Sequence, residues 1–204
     1  NANGKSKDWN VIEMLSNGKS FSNDASLLMP TTSVFSNYRT VTFRSVLGQN
    51  AAGATETWAS YITVIGASDE DVNLIITPTD DIVAGNGVTA ISKGTDYEFT
   101  VKKFQVYNFE TDQSSRDLTG SWIRCKDSTK NCGPVVAFSG NASTVIPNDK
   151  GYADHLEHQL FPVQTLGKDY ILVKTKVKGQ EYDYARIVAV EDGTKITYSP
   201  NAPA

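Results

Sequence analysis

Apolar and polar residues alternate along most of this chain, the period-two pattern of strands with one buried face. Residues 38–46 and 97–109 show it plainly. The second run slips at Lys102-Lys103, and a doubled polar pair inside a strand marks a β-bulge or a corner. Residues 61–65 and 72–77 read as a hairpin over Ser68-Asp69-Glu70-Asp71. Residues 185–190 and 194–198 read as its counterpart, turning at Glu191-Asp192-Gly193, where glycine tolerates the positive φ of a tight turn. Residues 122–124 and 134–138 read as short strands, with turns at Asn17-Gly18 and Gly85-Asn86-Gly87. Helical periodicity is confined to residues 153–160, a turn or two stopped by Pro162. Strands at short spacing predict an all-β fold, an antiparallel β-sandwich, with a propeller-like arrangement as the competing architecture.

The pattern also repeats itself. Leu28-Met29-Pro30, running on to Asn37-Tyr38-Arg39-Thr40-Val41, is echoed by Leu160-Phe161-Pro162 and Asp169-Tyr170-Ile171-Leu172-Val173, at a constant offset of 132 (162 − 30). Ala67-Ser68-Asp69-Glu70-Asp71 and Leu74-Ile75-Ile76-Thr77-Pro78 are echoed by Ala189-Val190-Glu191-Asp192-Gly193 and Ile196-Thr197-Tyr198-Ser199-Pro200, at an offset of 122 (200 − 78). The difference falls in a longer loop, 48–60, in the first copy, and loop closure entropy tolerates such insertions. Trp9-Asn10-Val11-Ile12-Glu13-Met14 takes the place of Pro134-Val135-Val136-Ala137-Phe138. The chain thus reads as about one and a half repeat units. Residues 1–133 form the first, and 134–204 form a partial second that packs on the first or on a neighbouring chain.

Composition changes this picture little. With 204 residues, 39% hydrophobic and 21% charged, the chain can bury a real core. A net charge of −4 without basic runs argues against nucleic acid, and no apolar stretch suits membrane insertion. The start at Asn1, with no signal-like stretch, reads as a mature form or an excerpt.

Candidate chemistry is sparse. Cys125 and Cys132 flank a hydrophilic stretch that suits a hairpin tip closed by a disulfide; two reduced thiols are the plain alternative. Two thiols with no nearby histidine complete no zinc set. The acidic runs containing Asp69, Asp71, Asp80 and Asp81 offer carboxylates to calcium, or else serve as solvated tips that discourage edge pairing. His155 and His158 would face one way on a helical turn, but no further metal ligand is evident, so a structural role for the turn is favoured. Asn141-Ala142-Ser143 is a glycosylation sequon in an expected turn. Ser139-Gly140 lacks a nucleophile elbow, so no catalytic residue is assigned and no enzyme is expected. Trp58, Tyr61, Tyr107, Phe109, Tyr182 and Tyr184 read mostly as core or cross-strand residues, a minority being free to form a protein- or glycan-binding face.

One set of motifs carries a resemblance. Asp117-Leu118-Thr119-Gly120-Ser121-Trp122-Ile123 leads to Gly133-Pro134-Val135-Val136-Ala137-Phe138-Ser139-Gly140-Asn141. Then follow Asp154-His155-Leu156-Glu157-His158-Gln159-Leu160-Phe161-Pro162, Leu166-Gly167-Lys168-Asp169-Tyr170, and Arg186-Ile187-Val188-Ala189-Val190-Glu191-Asp192-Gly193-Thr194. In this order they resemble the IgGFc-binding protein N-terminal domain family, extracellular modules of mucin-like gel-forming proteins and of many surface proteins. Where family members often carry two further cysteines, this chain has Ala142 or Ser143 and Asp154.

The resemblance implies an extracellular or cell-surface, non-enzymatic binding or scaffold role. With the partial repeat it leads to a secreted structural or adhesive module acting through protein partners, including copies of itself, in a polymer or matrix. The alternative is a carbohydrate- or protein-ligand-binding module with a calcium-assisted acidic loop, calcium then being its one cofactor.

Overall fold

The computed structural model describes residues 24–49, 53–85, 87–129, 132–147, 153–176, 179 and 182–199. The segment 9–14 and the turn at Asn17-Gly18 lie outside them. Among the described residues ten strands carry the fold: β1 Tyr38–Arg39, β2 Val46–Gln49, β3 Thr55–Trp58, β4 Ser60–Gly66, β5 Val72–Thr77, β6 Tyr97–Val101, β7 Val106–Glu110, β8 Trp122–Cys125, β9 Val135–Thr144 and β10 Asp154–Gln159. They form two four-stranded antiparallel sheets, ordered β1-β8-β5-β6 and β10-β9-β4-β7, and a separate β2-β3 ribbon. Among the described residues no helix is long and apolar enough to cross a membrane.

The core lies between the sheets, as the alternation requires. Ile62 and Val64 of β4, Phe109 of β7, and Val135 and Ala137 of β9 meet Val72, Leu74 and Ile76 of β5, Phe99 and Val101 of β6, and Ile123 of β8. Phe99 and Phe109 pack edge-to-face at 5.2 Å between ring centres, bridging the two sheets. The antiparallel sandwich read from the sequence is the fold observed.

Several strands sit elsewhere than their pattern suggests. β4 and β5 are not a hairpin: β4 pairs with β7 and β9, and β5 with β6 and β8. The Ser68–Asp71 stretch carries the chain across the core, because each strand has its own apolar face to bury against the other. The Lys102-Lys103 slip is a corner of the same kind, dividing β6 in one sheet from β7 in the other, with Phe104 at φ 63°. The expected long loop at 48–60 holds β3 and the end of β2, which pair as a ribbon. There a Cβ on Gly48 would meet the Trp58 ring at 2.0 Å, so only glycine admits the indole.

The segment after β1 inverts its expected faces. Thr40 and Thr42 are buried while Val41 is exposed. Backbone bonds of Thr40 to Ser121 and Gly120, and of Ser45 to Arg116 and Ser115, hold one side. On the other side β9 supplies side chains in place of backbone: Ser139 Oγ donates to Val41 O (2.7 Å), and Asn141 Nδ2 donates to Phe43 O (2.7 Å). Asn141 Oδ1 also accepts from the Phe43 amide (2.8 Å). This polar seam closes the flank of the sandwich.

The expected helix at 153–160 is strand β10, antiparallel to β9. Its pairing needs Gly140, where a Cβ would lie 1.9 Å from Leu156 O. The edge of β10 is covered by the start of the described chain. Ser26 Oγ accepts the Gln159 amide (2.8 Å), Gln159 Oε1 accepts the Met29 amide (2.8 Å), and Asp24 Oδ2 accepts the Glu157 amide.

The echo at offset 132 has the same local structure in both places. Pro30 and Pro162 each introduce a single 3-10 turn, Thr31–Ser33 and Val163–Thr165. In both, the third turn residue donates its amide to the proline carbonyl at 2.9 Å. Beyond the turns the echoes diverge. Residues 38–77 build the sandwich, whereas 166–176 and 182–199 form no strand among the described residues.

Candidate protein-binding face

The chain that follows the second turn is tied to the sandwich at a few points and otherwise presents apolar side chains to solvent. The Val163 amide donates to Asn37 O (2.8 Å). Arg186 Nη1 donates to Thr42 O (2.6 Å), Asp117 Oδ2 (2.6 Å) and Thr119 Oγ1 (2.8 Å), and its guanidinium lies 4.2 Å from the Phe43 ring centre. Arg39 Nη2 donates to Val190 O (3.2 Å). The Thr175 amide donates to Asp183 Oδ2 (2.9 Å), folding 175 back on 183. Between these ties Tyr170, Ile171, Leu172, Val173, Tyr182, Tyr184, Ile187, Ile196 and Tyr198 are all exposed.

The electrostatics of the ties are legible. Burial pushes the Asp117 carboxyl up, but hydrogen bonds from the Thr119 hydroxyl and amide, from Arg186 and from Thr42 outweigh it, and the group sits below its usual range. Burial and then the nearby Arg124 pull the Arg39 guanidinium down, against Asp192. Arg39 and Arg124 each lie 4.4 Å from the Trp122 ring centre. Beside them is a cleft of about 380 Å³ lined in part by Arg39, Lys93 and Trp122. Its indole is already engaged by two cations and donates to Asn37 Oδ1 (2.7 Å).

The residues singled out in the sequence do not converge. Cys125 and Cys132 form a disulfide with Cα atoms 5.6 Å apart, closing the β8–β9 connection. Asn141 is not in a turn. It is fully buried within β9, and a glycan on Nδ2 would forfeit its bond to Phe43 O. The sequon is the only signal sequence reading had, and the small polar residues around it resemble a turn until the seam is seen.

The acidic runs flank β5 at opposite ends, so no single calcium site draws on both. Arg116 clasps Asp80 (2.9 Å) and Asp81 (2.6 Å), while Asp69 pairs with Lys103; Asp71 has no role in these pairs. His155 is buried with Nδ1 3.2 Å from Ala142 O, and His158 is exposed, so they do not face one way. Among the described residues no three His, Cys, Asp or Glu side chains gather as a metal site.

Of the aromatics, Phe109 is core and Tyr107 packs against it (6.1 Å between ring centres). Tyr61 is half-buried, its hydroxyl donating to Glu157 Oε2 (3.1 Å) and held strongly in the neutral form by burial and by Glu157. Tyr182 and Tyr184 belong to the exposed face. Of that face the sequence had singled out Tyr182 and Tyr184 among its aromatics, and the second echo marked Tyr170, Ile171, Leu172, Val173, Ile196 and Tyr198.

No curated protein and no solved structure matches this chain. Residues 24–204, which take in the sandwich, the polar seam and the exposed second echo, match the IgGFc binding protein family, and the chain belongs to that family.

Proposed function

We propose that the chain is a secreted, non-enzymatic structural or adhesive module that works through protein–protein contacts, including contacts with copies of itself in an extracellular polymer or matrix. Family membership supports an extracellular protein-binding module. The observation that carries the finer reading is the set of exposed apolar side chains between Tyr170 and Tyr198, on chain that forms no strand among the described residues. Exposed apolar surface of this extent marks interaction sites, and chain outside a sheet is open to strand addition.

Light scattering coupled to size-exclusion chromatography, run over a hundredfold concentration range, tests this. Concentration-dependent association is expected, and it is weakened when Ile171 and Val173 are both replaced by Asp. A strictly monomeric folded chain, or association untouched by those substitutions, overturns the proposal.

A further inference from the structure

We infer that residues 170–173 of one copy of this chain add as an edge strand to β7 of a second copy. This deepens the protein-contact reading and rests on it.

The first echo shows what this segment does when it has a partner. Tyr38-Arg39, at the place of Tyr170-Ile171, is β1, paired antiparallel with Ile123 and Trp122 at the edge of a sheet. Residues 170–173 keep the aromatic and β-branched character of a strand, yet form none among the described residues. Where the first echo has Arg39 and Thr40, the second has Ile171 and Leu172. The segment is therefore apolar on both of its faces, and all four side chains are exposed. Such a strand is buried fully only beside an edge that is apolar above and below.

Of the four edges of the two main sheets, one offers this. β1 is closed onto β9 by the polar seam. β10 is covered by Asp24 and Ser26. β6 carries Glu98, ion-paired with Lys126, and charge on an edge strand discourages pairing. β7 is open. The Gly66 amide donates to Gln105 O (3.0 Å) and the Thr111 amide to Ser60 O (3.1 Å), so by antiparallel alternation Tyr107 and Phe109 bond to β4. Val106, Asn108 and Glu110 turn their backbone groups the other way. The Glu110 carbonyl accepts there from the Val83 amide (2.9 Å), but no strand among the described residues pairs with β7 on that side.

Both faces of this edge are apolar. Towards the core stand Tyr107 and Phe109, with ring centres 6.1 Å apart. On the outer face Val106 is opposite Ile65, and Ile65 is opposite Val136. Two residues before Val106, Phe104 is exposed as well.

Donor and acceptor meet between copies. Val163 at Asn37 and Arg186 at Thr42 tie the donor's flanks to the side that carries β1 and the seam. β7 is the edge of its sheet farthest from β10.

Hydrogen exchange across a hundredfold range of concentration, read beside light scattering, tests this. On association the Val106 and Asn108 amides are expected to slow roughly tenfold or more as ladder bonds form, while the β6 amides keep their rates. Complementation tests it again. Ile171→Asp spoils the donor and leaves the acceptor; Val106→Asp does the reverse, with Val106→Lys as a second form. Both positions are exposed, and circular dichroism verifies the fold of each variant. Each variant alone is expected to lose association by roughly tenfold or more, through a charge set against an apolar partner. An equimolar mixture of the Ile171→Asp and Val106→Asp chains is expected to form a 1:1 dimer that grows no further.

Val106 variants that associate like the parent, or protection that appears on β6 in place of β7, overturn the β7 assignment while leaving the protein-contact reading standing. Protection of Val106 and Asn108 that does not change with concentration, or a mixture that fails to dimerise, overturns the second-copy assignment. A parent chain that stays monomeric throughout overturns both readings.

Discussion

Tyr38 and Tyr170 stand at the same place in the two echoes, yet Tyr38 is wholly buried and Tyr170 is 68% exposed. Leu74 and Ile196 differ in the same way, at 0% and 49% exposure. The side chains are alike, so composition does not separate them. What differs is the company. The first echo has β8 and β9 against β5 and β4, and a polar seam along its flank. The second is held by Arg186, Arg39 and a few backbone bonds. A strand pattern states which face wants burial; only a partner strand buries it.

The largest expected effect lies in the core. Leu74→Ala should cost about 3 kcal/mol in urea unfolding, because it opens a cavity between the sheets, while Ile196→Ala should cost less than about 0.5 kcal/mol. Equal costs would mean that the two echoes are equally packed.

Alkaline pH presses on the same difference through Tyr38. Burial, partly offset by hydrogen bonding to the Phe35 backbone, pushes its hydroxyl up to about 12. The folded state thus holds a proton that the unfolded chain releases near pH 10. The stability it contributes is complete below pH 10 and is lost as pH rises toward 12, an effect of up to about 2 kcal/mol. Denaturant midpoints between pH 9 and 12 should fall for the parent chain and fall less for Tyr38→Phe; identical slopes would contradict this.

Asn141→Ala should cost about 2 kcal/mol, since two bonds to the Phe43 backbone vanish in a buried seam. Hydrogen exchange of residues 41–45 should accelerate more than that of β5, and uniform acceleration would argue against a local seam.

The smallest effect concerns the clasp on the second echo. Asp117→Asn should change global stability by about 1 kcal/mol or less while speeding exchange in 182–190. The Asp117 carboxyl titrates below its usual range, so the clasp is complete above about pH 4 and is lost as pH falls through the lowered value. Exchange in 182–190 that ignores both the substitution and acid would remove Arg186 from its anchoring role.

Much of this was readable in the chain and some was not, for reasons that particular residues show. Alternation in 61–65, 72–77 and the first part of 97–109 named strands that the structure holds as β4, β5 and β6, since a two-residue period leaves few other ways to hide apolar side chains. The Lys102-Lys103 slip named a corner. Strand partners were not readable: β4 and β5 looked like a hairpin because nothing local distinguishes a turn within a sheet from a crossing between sheets. Asn141-Ala142-Ser143 looked like a turn because the Asn141 side chain is satisfied only by the Phe43 backbone, about a hundred positions earlier. His155 and His158 looked helical because β10 is polar on a pattern that its bulge at Asp154/Leu156 disturbs.

By itself the sequence determined that this chain is built of strands, that Cys125 and Cys132 stand close enough to bridge, and that the stretches at Pro30 and Pro162 echo each other. These follow from local sterics and short separation. The tertiary structure decided which strands pair, why Asn141 is buried, that Arg116 holds Asp80 and Asp81, and which echo is covered. Each depends on groups far apart in the chain whose desolvation is offset only when they meet.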